Sequence, residues 1–169
     1  MRRRTLLHGG LSGAAAVTVA GCGFRLRQAP NFSFQSIFLA MGNNSSFGQE
    51  LRRNLLASGK LTVVTDLRQI EQADVIFELQ QELREKVVVA YNTAGQVREF
   101  QLRLRIRIRL RTLEGTELIP SVEIMQQRDI SFNEASALSK EAEEQLLYRD
   151  MQADLVQQTL RRLAAAQTP

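Results

Sequence analysis

The sequence predicts a two-layer α/β (α+β) sandwich, in which two helices pack on one face of a four- to five-stranded, mixed and mostly antiparallel sheet. Three observations support this class: a strand–helix–strand pattern over residues 34–65, three long alternating segments joined by tight turns, and one long amphipathic stretch near the C-terminus. The 169 residues, 44% hydrophobic and 24% charged, are enough for one domain with its own core.

The N-terminal part of the domain is predicted as a βαβ unit. A strand at residues 34–40 precedes the S-x-x-Q capping box of Ser46 and Gln49, which predicts a helix start. Gly59 predicts the end of that helix, and a β-branched strand follows at residues 61–65. The helix repeats its apolar residues every four positions, at Phe47, Leu51 and Leu55. Because βαβ crossovers join parallel strands, the two strands are expected to pair in parallel.

The middle of the chain predicts an antiparallel meander. Strands are expected at residues 74–91, 97–113 and 118–132, with turns at residues 92–95 and 114–115 that both end in Gly. Within the first of these strands, alternation places even-numbered residues on one face and odd-numbered residues on the other.

A long helix is expected to close the domain. Ser136 or Ser139 can cap it, and it runs to about residue 165. Its apolar stripe consists of Leu147, Met151, Leu155, Leu160 and Leu163. With both helices on one face, the other face of the sheet is expected to have no cover from the chain itself.

The rare residues limit the chemistry. The only His and the only Cys are His8 and Cys22, so residues 23–169 contain neither imidazole nor thiol. This excludes Ser-His-Asp and Cys-His catalysis, His or Cys metal sites and intrachain disulfides. Any enzyme would have to work with carboxylates, Lys, Tyr, Ser or Thr alone, so we do not expect an enzyme, a metal site or a cofactor.

The N-terminus resembles a lipoprotein export signal. Residues 1–4 are basic, residues 6–20 are apolar or small, and the run ends Val-Ala-Gly-Cys at Cys22, which is similar to the bacterial lipobox. The resemblance implies a cleaved signal peptide at 1–21 and a Cys22 that carries diacylglycerol and an N-acyl chain. It also divides the rest into a lipidated tether, 22–33, and one domain, 34–169. An ordinary cleaved signal beside a Cys is the alternative.

Two further features concern export and charge. Arg2–Leu7 is similar to a twin-arginine signal, so the Sec and Tat routes both remain open. Gly23 stands where inner-membrane retention would require Asp, so the lipoprotein resemblance implies the outer membrane, with the domain on its periplasmic side. After signal removal the chain has 19 basic and 18 acidic residues, and this balance gives no reason to expect a nucleic-acid partner.

The most regular pattern is the alternation over residues 101–111. Its even positions are Leu or Ile and are expected to face the helices. Its odd positions form an arginine row on the opposite face: Arg103, Arg105, Arg107, Arg109 and Arg111. In one interpretation this row pairs across strands with Glu78, Glu82 and Glu123. In the other, a positive excess to which Arg84 adds binds a phosphate or carboxylate partner.

Several of these segments together resemble the LptE family. They are the opening Cys22–Arg27, the hairpin and strand start at residues 95–100, the segment 133–140 before the last helix, and the order of elements. The resemblance implies a non-enzymatic outer-membrane lipoprotein that helps assemble and plugs the LptD β-barrel and binds lipopolysaccharide (LPS). It covers nearly the whole chain after the signal.

By position, Lys140 matches a basic residue that the resemblance implicates in LPS contact, although an ordinary surface lysine at a helix start is the alternative. The second such residue of the family lies in the hairpin turn, where this chain has Asn92–Gly95, and Arg98 or Lys86 could substitute for it. A lipoprotein subunit of a periplasmic phospholipid-trafficking transporter is the alternative function, and it would require an apolar lipid groove.

Overall fold

The computed structural model describes residues 31–133 and 137–167 and confirms the predicted sandwich. Strands β2, β1, β3, β4 and β5 form one sheet in that order, with β1 parallel to both β2 and β3, and with β3–β4 and β4–β5 antiparallel. In chain order the elements are β1 (Ser36–Ala40), α1 (Ser46–Ala57), β2 (Thr62–Val64), a 3-10 helix (Leu67–Gln72), β3 (Val75–Tyr91), β4 (Val97–Thr112), β5 (Glu117–Ser131) and α2 (Ala137–Ala165).

The main core lies between the sheet and the two helices. The apolar positions of β4 are fully buried there, as the alternation predicts: Leu102, Leu104, Ile106, Ile108 and Leu110. They pack with the predicted stripes of both helices, including Leu51, Leu55, Met151 and Leu155, while Leu147 is partly buried. Each such side chain contributes about 1.5–3 kcal/mol through removal of apolar surface from water, so this layer sets the position of β4.

The start of α1 differs from the prediction by one residue. Ser45 is the N-cap, because its backbone is extended and its Oγ accepts a hydrogen bond from the Gly48 N–H at 2.7 Å. The expected capping box of Ser46 and Gln49 is therefore wrong. The Ser46 hydroxyl, already within the helix, instead donates to the side chain of Gln152 at 2.7 Å. Ser136, one of the expected caps of α2, lies outside the described residues.

A second, smaller apolar cluster covers part of the opposite face. The 3-10 helix places Ile70 against this cluster, which consists of Phe38, Val64, Ala73 and Ile76. The expectation that this face has no cover from the chain is therefore wrong at the β1–β2 end. No periodic pattern signalled the segment in the sequence, because six residues of 3-10 helix complete only two turns.

A bulge in β3 reverses its alternation. The β3–β4 register shifts between Leu79 and Gln81, so Glu82 lies opposite Ile106 and Arg84 opposite Leu104, both on the helix face. The expectations that Glu82 pairs with the arginine row and that Arg84 adds to it are therefore wrong. Beyond the bulge, β3 brings the odd-numbered Glu85 to the arginine face instead.

The two hairpin turns agree with the sequence. Gly95 and Gly115 adopt φ values of 78° and 97°, which favour glycine at the two hairpins. None of the described helices combines the length and the hydropathy that crossing a membrane requires.

Candidate functional site

The arginine row is internally paired. Four of its five members form ion pairs with carboxylates: Arg105–Glu85 (2.5 Å), Arg107–Glu123 (3.2 Å), Arg109–Glu78 (2.6 Å), Arg109–Glu117 (3.3 Å) and Arg111–Glu78 (2.7 Å). Carboxylates on this face are at least as numerous as the arginines and include Glu78, Glu85, Glu117, Glu123 and Asp129. The predicted positive excess is therefore wrong, and the interpretation that pairs the row across strands is closer to the structure.

Arg103 differs from the rest of the row. Its Nε donates to the side-chain oxygen of Gln101 at 2.8 Å, and no carboxylate in the described part of the chain lies within ion-pair distance of it. The Nε of Arg105 is buried without an acceptor there. The centre of the row thus retains donors that the domain itself does not use.

Glu78 is the most strongly held acid on this face. Its side chain is 17% exposed and accepts from Arg109 and Arg111 together. Partial burial raises the pKa of Glu78, but the hydrogen bonds and positive charges of Arg111 and Arg109 outweigh burial and hold that pKa below its ordinary value of 4.5. The same contact with Glu78 raises the pKa of Arg109. This end of the row is a fixed charge cluster.

A different site forms where α2 begins. Here β3, β4, β5 and the first two turns of α2 enclose a cavity of about 140 Å³, which we call the α2 cleft. It is lined by Lys86, Phe100, Ile130, Ser131, Phe132, Ala137, Lys140, Glu141 and Glu144. Two of the three lysines of the chain therefore line one small cavity.

Each lysine of the α2 cleft is held beside an apolar wall or the helix start. The Lys86 Nζ lies 2.6 Å from a Glu144 oxygen and 4.4 Å from the centre of the Phe100 ring. Phe100 in turn contacts the Phe132 ring edge to face, at 5.3 Å between centroids. The Lys140 Nζ donates to the Ser131 Oγ at 3.1 Å and to a Glu143 oxygen at 2.8 Å. The Lys86 ammonium can bind an anion while the neighbouring rings contact an apolar group of the same ligand.

The structure brings Lys86 and Lys140 together and places Arg98 nearby. Arg98 is exposed, and its backbone oxygen accepts from the Phe132 N–H at 2.7 Å. Because residues two apart on a strand share a face, Arg98 lies on the same face of β4 as Phe100. The arginine row lies on the opposite face, so the sequence candidates divide into two separate surfaces.

The sequence did not identify the aromatic wall or the polar cluster behind the α2 cleft. In that cluster the buried Gln152 side chain accepts from Ser46 and Arg84 and donates to Glu50 at 2.5 Å. The Tyr148 hydroxyl donates to the backbone oxygen of Glu85 at 2.7 Å. Burial, with a smaller contribution from the charge of Glu144, raises the pKa of Tyr148. The nearest sequence signal was the pair of Phe residues near the start of β4 and directly after β5.

The structure is a small α+β domain with one cleft lined by two lysines, and none of the described residues form a group of His, Cys, Asp or Glu that could hold a metal ion. Residues 34–163 match the model of a family described as LptE: Lipopolysaccharide-assembly. This chain belongs to the LptE family, a non-enzymatic family of LPS-assembly lipoproteins. The family is known to have LptD and LPS as partners.

Solved structures support the same assignment. The solution structure of lipoprotein B from Nitrosomonas europaea is 34% identical, with a TM-score of 0.72 over 85% of this chain and 91% of that one. Rare lipoprotein B from Shewanella oneidensis is 17% identical, with a TM-score of 0.65 over 78% and 95% of the two chains. A minor lipoprotein from Acinetobacter baumannii is 14% identical, with a TM-score of 0.62 over 82% and 100%. The last two show the fold alone. The comparison with curated proteins gives no match.

Proposed function

We propose that this chain is an outer-membrane lipoprotein that helps assemble and plugs an LptD β-barrel, and that it binds LPS during transport to and insertion into the outer membrane. The observation that carries the proposal is the α2 cleft, in a domain that belongs to the LptE family. The proposal includes the signal peptide 1–21, the tether 22–33, the domain 34–169 and acylation of Cys22. Cys22 and the signal lie outside the described residues.

The α2 cleft suits the chemistry of LPS. LPS carries phosphates on lipid A and on core sugars, and a lysine ammonium binds phosphate as a compact point charge. In this proposal the ammonium groups of Lys86 and Lys140 exchange their carboxylate partners for phosphate oxygens. The rings of Phe100 and Phe132 then contact the apolar part of the ligand, with Arg98 at the rim.

The position of the α2 cleft relative to the tether supports the role in the barrel. The described chain begins beside β1, where Asn31 accepts from Lys60 and Ser33 donates to the backbone of Ala166. From the start of β3 to Lys86, the strand extends over roughly 36 Å at about 3.3 Å per residue. That length is similar to the hydrocarbon thickness of a bilayer, about 30 Å. A domain tethered at one membrane surface can therefore place its cleft near the other surface.

The paired arginine face suits a position within a barrel lumen. The interior of such barrels is polar, so it accepts a charged exterior that the domain has already neutralised. In this proposal Arg103, Arg105, Arg107, Arg109 and Arg111 are barrel contacts. Arg103, which has no carboxylate partner in the described chain, donates to a carboxylate of the barrel.

The plug is tested by extraction of a tagged, full-length chain from outer membranes in mild detergent. We expect a stable 1:1 complex with a large β-barrel protein. Recovery of the chain alone would contradict the proposal. Recovery with inner-membrane transporter subunits and bound phospholipid would support the phospholipid-trafficking alternative instead.

LPS binding is tested with the double variant Lys86→Gln and Lys140→Gln. Loss of two charge-assisted contacts should weaken LPS binding at least about tenfold. Lys60→Gln is the matched control, because Lys60 is the one other lysine and lies at the opposite end of the domain. Equal LPS affinity in the double variant and the control, with unchanged thermal unfolding, would exclude the α2 cleft as the binding site.

A further inference from the structure

Strand β5 leaves a long open edge on the sheet. It lies last in the strand order and has 15 residues, whereas strands of about 5–6 are typical. The Phe132 N–H donates to the Arg98 oxygen on β4, and the pairing is regular from Val122 to Ser131. In an antiparallel pair, the backbone groups of successive residues point alternately to the partner strand and away from it. Since the even-numbered Phe132 bonds to β4, the odd-numbered residues of β5 direct their N–H and C=O groups to the open edge.

Two side chains restrict this edge without closing it. Pro120 lacks an N–H and interrupts pairing near the start of β5. The Arg128 guanidinium donates to the backbone oxygen of Gln127 at 2.8 Å and to Asp154 on α2 at 3.0 Å. The backbone N–H and C=O groups of Glu123, Met125 and Asp129 remain available along the edge. Such an edge is a template for pairing with another strand.

A polar groove runs beside this edge, between β5 and α2. Its volume is about 620 Å³, and it is lined by Gln126, Arg128, Asp154, Gln157, Gln158 and Arg161. The α2 residues recur at helical spacing, so they form one face parallel to the strand. Amide and guanidinium groups donate hydrogen bonds to peptide oxygens and to carboxylates. In the described part of the chain no carboxylate lies within ion-pair distance of Arg161.

We propose that the β5 edge and the α2 groove together bind an extended segment of the barrel partner by strand addition. The proposal rests on the proposed function for the identity of the partner. Main-chain hydrogen bonds to Glu123, Met125 and Asp129 hold the segment, and its side chains on the α2 side enter the groove. Because Arg128 is paired with Asp154 while Arg161 is not, the segment carries an acidic side chain opposite Arg161.

The edge is tested with Met125→Pro and its control Met125→Ala in full-length protein co-expressed with the barrel. The Met125 N–H faces the open edge, so proline removes that donor and leaves the β4–β5 hydrogen bonds in place. We expect Met125→Pro to reduce recovery of the complex about fivefold, the effect of one net hydrogen bond. Met125→Ala should behave as the parent chain, and both variants should bind LPS normally. Equal complex recovery with both variants would overturn the proposal.

A photo-crosslinking residue at Gln158 gives a second test that does not depend on the folding of the proline variant. We expect it to capture one extended segment of the barrel, and the same residue at Arg149, an exposed position on another side of α2, to capture none. An intact complex without a crosslink at Gln158, or a crosslink to a second copy of this chain, would overturn strand addition but not the plug. Absence of any complex with the parent chain would overturn the proposed function itself.

Discussion

Replacement of Glu78 by Gln tests whether the arginine face is part of the scaffold. The Glu78 carboxylate accepts from the Nε and Nη2 atoms of Arg109 and from the Nε of Arg111, at 2.6–2.8 Å, with a side chain that is 17% exposed. Gln keeps the shape and one acceptor oxygen but removes the charge, so the two guanidinium groups lose the carboxylate that they share. The loss in unfolding free energy should lie between the values for removing an exposed ion pair and a buried one, at about 2 kcal/mol.

The assay is thermal unfolding of the detergent-solubilised, full-length protein followed by circular dichroism. For a domain of this size, about 2 kcal/mol lowers Tm by roughly 6–8 °C. Glu123→Gln is the matched control, because Glu123 has one partner, Arg107, at 3.2 Å, and its side chain is 39% exposed. An exposed pair contributes about 0.5 kcal/mol or less, so the control should shift Tm by no more than about 2 °C.

The effect of Glu78→Gln should also depend on pH. Because the folded pKa of Glu78 lies below 4.5, its stabilisation is fully present above that pH and is lost as the pH falls through the folded pKa. The parent and the Gln variant should therefore converge in acid. Equal Tm shifts for Glu78→Gln and Glu123→Gln at neutral pH, or a difference that persists in strong acid, would refute this account of the face.

Three further predictions concern other parts of the domain. Ser45→Ala should lower the free energy of unfolding by about 1 kcal/mol through loss of the α1 cap, measured as a lower midpoint of urea denaturation. Gly95→Ala should cost about 1 kcal/mol because of the φ of 78°, whereas Gly42→Ala, with open space and no such φ, should be near neutral in the same denaturation series. The phenol of Tyr148 should titrate above pH 10.0, seen as phenolate absorbance that Tyr148→Phe removes. The stability it contributes should be complete below pH 10.0 and lost as the pH rises through the folded pKa.

Regular period-2 and period-4 patterns predicted the large elements well. The apolar positions of β4 and the residues Phe47, Leu51 and Leu55 of α1 are buried as expected, because burial of one face fixes the register of a strand or helix. The capping residue of α1 and the 3-10 helix were not predictable in this way. Ser45 and Ser46 carry the same side chain, and only the backbone conformation decides which of them is the cap.

The α2 cleft depends on a feature that no sequence periodicity reveals, the bulge of β3 near Gln80. Before the bulge the even-numbered Glu78 faces the arginine row, and unbroken alternation would place Lys86 on that face too. One extra residue reverses the faces, so Lys86 lies opposite Leu102 and turns toward Phe100 and α2, while Glu85 moves to Arg105. The extra residue of the bulge therefore adds a cation, Lys86, to the cleft and a carboxylate, Glu85, to the arginine face. The shift of Glu85 explains why the arginine face has no positive excess, and the shift of Lys86 explains why this cation lies at the start of α2.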